Sequence, residues 1–89
     1  MRNVNKQVEI LVKSNEKMPD GGKVKSRRII LRSVRRVSVV RKVYCDRLKL
    51  DKVSARLVQF TVNGRQVEDS EIVEQLHNKI VLAHCLKFV

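Results

Sequence analysis

Between Lys23 and Arg56 the chain carries 13 Lys and Arg residues against two acids, Asp46 and Asp51, and this stretch holds the whole formal net charge of +11. Elsewhere 7 basic side chains balance 7 acidic ones. Ammonium and guanidinium groups at this density suit phosphate, acidic protein or an anionic surface, and charge alone does not choose among them. Lys25, Arg27, Arg28, Arg36, Arg41, Lys42 and Lys49 make up the candidate basic patch.

The nucleophilic and titratable residues are sparse. Cys45 and Cys85 fit neither a zinc site nor a disulfide-rich scaffold, so they read as buried thiols. Cys45 is followed by an acid near the end of a helix, where the dipole disfavours a thiolate. His77 and His84 are isolated, and His84 and Cys85 are neighbours on a strand, which sends them to opposite faces. No Gly-rich phosphate loop or carboxylate pair appears, so catalysis and bound cofactors are not expected. Nucleic acid is a rival partner on charge grounds. With Tyr44 as the one aromatic in the basic stretch, no stacking platform exists, and non-specific binding is the form to expect.

The elements that must position these groups belong to one domain spanning 1–89, with 1–6 polar and frayed. A hydrophobic fraction of 43% is too high for a disordered tail, and the abundance of valine favours sheet. No apolar run approaches the ~20 residues of a membrane span, and no signal peptide opens the chain, so no membrane partner is expected. The thiols imply a reducing compartment, cytoplasmic or nuclear, with the nucleus favoured because the basic cluster can serve as an import signal.

Val8, Ile10 and Val12 alternate within a strand at Gln7–Lys13. Pro19-Asp20-Gly21-Gly22 forms a turn, and Val24–Arg32 returns as the second strand of a hairpin. The period then changes: Val37, Val40, Tyr44 and Leu48 make an apolar stripe on a helix that Ser33 or Ser38 is placed to cap. Val53–Phe60 leads into a third strand ending at Val62. Asn63-Gly64 turns it into a short strand, Arg65–Val67. Asp69-Ser70-Glu71 marks the start of a helical turn at Ile72–Leu76, and Lys79–Val89 closes the chain as a strand. This order predicts an α+β domain with one main helix packed across a mixed sheet of four to five strands.

Tyr44-Cys45-Asp46-Arg47 resembles the Tyr-Cys-x-Arg at the helix end of SUMO proteins, and Val62-Asn63-Gly64-Arg65-Gln66-Val67 resembles the turn after their third strand. Gln66-Val67-Glu68-Asp69 is similar to a segment of ubiquitin. The likeness covers roughly Gln7 to Val89 and implies the β-grasp, or ubiquitin-like, fold. Three features depart from SUMO: a longer first loop, Leu48-Lys49-Leu50-Asp51-Lys52 where the family has Gly and Pro, and no Gly-Gly tail at Val89. A SUMO-like module that is not itself conjugated is therefore the expectation.

By that resemblance, a groove between the second strand and the helix accepts an extended hydrophobic and acidic peptide. Its residues here are Ile29, Ile30, Leu31, Arg32, Arg35, Val39, Val40, Val43 and Arg47. The implied partner is a SUMO-interaction-type peptide or a SUMO-pathway enzyme. An alternative reading of Ile29, Leu31 and Val40 is that they are core, and the chain is alternatively a subunit of a larger nuclear assembly or a homodimer in which the exposed edge of Val24–Arg32 pairs with another copy.

Overall fold

The computed structural model describes residues 6–15, 18 and 26–85. Five strands form one sheet: β1 (Gln7–Ser14), β2 (Arg27–Arg32), β3 (Val58–Val62), β4 (Arg65–Val67) and β5 (Ile80–Cys85). Their spatial order is β2-β1-β5-β3-β4, with β1 and β5 parallel at the centre and the other pairs antiparallel. The hairpin turn expected at 19–22 and the first residues of the expected second strand, Val24 and Lys25, lie outside the described residues. So do the last four residues of the expected closing strand.

Strand alternation decides which face is covered. Val8, Ile10, Val12, Ile29, Val58, Phe60, Val81 and Ala83 point to one side and are almost wholly buried. Across that side lies helix α1 (Val37–Arg47), which contributes Val37, Val40, Tyr44 and Cys45 to the same core. The Tyr44 ring meets Phe60 edge to face with centroids 6.1 Å apart, and its hydroxyl lies 2.5 Å from Ser14 Oγ. The four valines of α1 are poor helix formers, so its stability comes from this packing rather than from propensity.

Neither serine caps α1. Its N-cap is Arg36, with no side-chain bond, and Ser33 is buried in the preceding turn. The orphan amides are satisfied by a distant loop instead: Val37 N–H donates to the Glu71 carbonyl (2.8 Å) and Ser38 N–H to that of Asp69 (3.1 Å). Asp69-Ser70-Glu71 therefore does not open a helix by side-chain capping. The 3-10 turn at Val73–Leu76 is capped by Ile72 without a side-chain bond. Glu71 reaches back to the Glu68 amide (2.7 Å), and this bond, reinforced by Arg65, holds its carboxyl below the ordinary value.

At its far end α1 closes in a Schellman arrangement, with Leu50 N–H on the Cys45 carbonyl and Lys49 N–H on that of Asp46, both 3.1 Å. The residue that turns left-handed, φ 58°, is Lys49, where glycine is the usual choice. Asn63 (φ 52°) and Gly64 (φ 82°) make the expected tight turn between β3 and β4.

The stretch expected to lead straight into β3 instead forms a second helix, α2 (Lys52–Leu57). Asp51 caps it by accepting the Ser54 amide at 2.6 Å, a bond that also lowers the Asp51 carboxyl from its ordinary range. With six residues, α2 is too short to show an apolar period; Ala55 and Leu57 pack on the core while Val53 is 70% exposed.

Arg41 ties these parts together. Its side chain is 19% exposed and forms a forked ion pair with Asp69, with contacts of 2.9–3.1 Å. The same guanidinium donates to the carbonyls of Ala55 (2.7 Å) and Val58, and lies 5.2 Å from the centre of the Phe60 ring.

Arg41→Lys keeps the charge but loses the planar fork, and should destabilise the fold by about 2 kcal/mol in chemical denaturation. Lys49→Gly should stabilise it by about 1 kcal/mol in the same assay by removing the left-handed penalty.

Candidate protein-binding groove

β2 is an edge strand, and the hydrogen bonds of its neighbour determine which of its backbone groups are free. Glu9 and Leu11 of β1 direct their backbone groups toward β5: Glu9 N–H donates to His77 Nδ1, Asn78 N–H to the Glu9 carbonyl, and Leu11 N–H to the Lys79 carbonyl. Their β2 partners, Ile30 and Arg28, are thus non-hydrogen-bonded pairs whose amides and carbonyls face outward. The outward Arg28 carbonyl accepts from the Arg47 guanidinium at 3.2 Å, and that of Arg32 accepts the Arg35 amide at 3.0 Å. Between them, Ile30 keeps both backbone groups without a partner among the described residues.

Beside this edge runs α1, antiparallel to it, with Arg47 reaching the Arg28 end. Val39, Val43 and Arg47 follow at i, i+4 and i+8, one helix face adjacent to the core stripe. Val39 and Val43 are half-buried, as is Leu31 across from them, while Arg32, Arg35 and Arg47 are exposed. The residues expected in the groove thus separate into three groups. Ile29 and Val40, each 1% exposed, are core. Ile30 projects from the opposite, outer face of the sheet, where it is 53% exposed. Leu31, Arg35, Val39, Val43 and Arg47 are left to form the groove and its rim, whereas Arg32, expected there too, is turned by strand alternation to the outer face with Arg28 and Ile30.

The expected basic patch does not occupy a single surface. Arg28 lies on the outer face in an ion pair with Glu9 (2.8 Å), Arg36 donates to the Ser70 carbonyl (2.6 Å), and Arg41 is spent inside the molecule. Lys42 and Lys49 are exposed, and Lys25 lies outside the described residues. Arg27 points to the helix side of β2, half-buried, and its Nε is buried with no hydrogen-bond partner among the described residues. Charge counting on the sequence does not reveal this orphaned donor, because the signal is the alternation that turns residue 27 to the same side as Ile29 and Leu31.

The thiols are both buried and free. Burial pushes Cys45 up to about 11 against the opposing influence of Arg41, so it is protonated at neutral pH. His84 is turned away from Cys85 and pairs with Gln59 Oε1 at 2.9 Å. Among the described residues no cluster of His, Cys, Asp and Glu is arranged to hold a metal.

A structure search places this architecture beside a de novo designed protein based on ubiquitin, with a TM-score of 0.68 at 11% sequence identity over 91% of this chain and 90% of that one. The fold is the ubiquitin-like β-grasp. No protein-family model matches the sequence, and no curated protein sequence does. The candidate groove lies between the edge strand β2 and α1.

Core and rim should separate in stability measurements. Ile29→Ala should cost about 2–5 kcal/mol, whereas Arg32→Ala and Arg35→Ala should each stay within about 0.5 kcal/mol of the parent in urea titrations.

Proposed function

We propose that this protein is a non-catalytic, SUMO-like interaction module that takes up an extended peptide, apolar with acidic flanks, as an added strand along β2. The observation that carries this reading is the outward-facing backbone of Ile30, without a partner among the described residues and set between the basic residues Arg28 and Arg32 on an edge strand with an adjacent apolar floor. A peptide strand laid there gains backbone hydrogen bonds from Ile30. Its alternate side chains rest on Leu31, Val39 and Val43, and acidic neighbours meet Arg35 and Arg47 on the helix side or Arg32 on the outer face.

The same charges argue against a second copy of the chain at this edge. Two β2 strands paired antiparallel about Ile30 set Arg28 opposite Arg32 on both sides, and like charges directly opposite are destabilising. An acidic partner turns that repulsion into attraction. The division of the basic residues among several faces likewise favours a short peptide over a nucleic-acid backbone, which needs a continuous track.

Calorimetric titration with a peptide of four apolar residues followed by three acids tests the proposal. Binding should be saturable, weakened about tenfold by Arg32→Glu or Val39→Lys, and only modestly weakened by raising salt from ~50 to ~300 mM. Unchanged affinity in both variants, or a duplex DNA that displaces the peptide at the higher salt, overturns it.

A further inference from the structure

A pocket of about 380 Å³ opens between α1 and α2, on a part of the molecule that the β2 groove does not use. Arg41, which lines it, donates to the Ala55 carbonyl at 2.7 Å, and Cys45 and Ala55 are also among its lining residues. Lys42, Lys52 and Arg56 also line it, all three exposed and none in a salt bridge or hydrogen bond among the described residues.

The charges there do not cancel. Arg41 and Asp69 neutralise each other through their forked pair, so the remaining lining charges are three cations against the single carboxylate of Asp46. Lys52 and Arg56 are four residues apart on α2, so they share a face and repel. Lys42 on α1 adds a third like charge to the same opening. An oxyanion placed among them relieves this repulsion, and the concave, partly apolar interior is of the size that takes a small ligand's body.

We propose that the α1–α2 pocket binds a small organic polyphosphate, its phosphates held by Lys42, Lys52 and Arg56 and its organic body seated over Cys45 and Ala55. This site is independent of the peptide groove, and variants separate the two. Amide chemical shifts of the full chain are followed on titration with adenosine triphosphate, inorganic tripolyphosphate and adenosine. Expected are saturable shifts at Lys42, Cys45, Ala55 and Arg56, with adenosine triphosphate binding at least fivefold tighter than tripolyphosphate and adenosine alone weakest. The double variant Lys52→Glu with Arg56→Glu should weaken binding at least tenfold while keeping the peptide affinity, and Arg32→Glu should do the reverse. Ala55→Leu, which fills the interior, should remove the advantage of the nucleotide over tripolyphosphate. Shifts spread evenly over all basic faces, or equal loss from Arg32→Glu, would identify a diffuse ion atmosphere and overturn the proposal. Equal affinity for the nucleotide and tripolyphosphate would overturn the seat assigned to the organic body.

Discussion

The guanidinium of Arg41 sits where three chain segments meet, and the geometry of both candidate surfaces depends on it. From the middle of α1 it reaches Asp69 in the loop after β4, Ala55 in α2 and Val58 at the start of β3. The Asp69 it holds belongs to the loop whose carbonyls cap the first turn of α1, so one side chain supports the helix twice, through its own bonds and through its cap. A planar fork is needed for this. An ammonium offers a point charge and cannot serve a carboxylate and two carbonyls in fixed directions. Partial burial beside Phe60 strengthens each bond by lowering the local dielectric, and it also makes loss of any partner costly.

With α1 anchored, the sheet's two edges acquire different characters. β4 is only three residues long and follows a tight turn, which blunts it as a template. β2 is six residues long, and its register with β1 turns the amide and carbonyl of Ile30 outward, without a partner among the described residues. Such an edge invites indiscriminate pairing unless charge restricts it. Antiparallel pairing of a second copy about Ile30 would set Arg28 opposite Arg32, and like charges placed so disfavour it.

Local patterns in the sequence carried much of this fold. The alternation at Val8, Ile10 and Val12, the Asn63-Gly64 turn and the Val37-Val40-Tyr44 stripe each state their structure within a few residues. What stayed hidden was tertiary. The cap of α1 comes from carbonyls some 30 residues downstream, so the nearby serines misled. α2 is too short for a period, and its only signal was Asp51 three residues before Ser54. Arg41 reads as one more cation in a basic run, because its pairing with Asp69 spans 28 positions. For the same reason the run looked like one charged surface, whereas strand alternation and helix position deal its members to separate faces. Ile29 and Val40 were read both as groove and as core, and burial places them in the core.

Amide hydrogen exchange at Ile30 probes the edge most directly. This amide should exchange freely in the isolated protein while those of Ile29 and Leu31, bonded to β1, are protected. Saturation with the apolar-acidic peptide should slow exchange at Ile30 at least tenfold and leave its neighbours unchanged. Protection of Ile30 in the free protein, or free exchange with peptide fully bound, would contradict strand addition at β2.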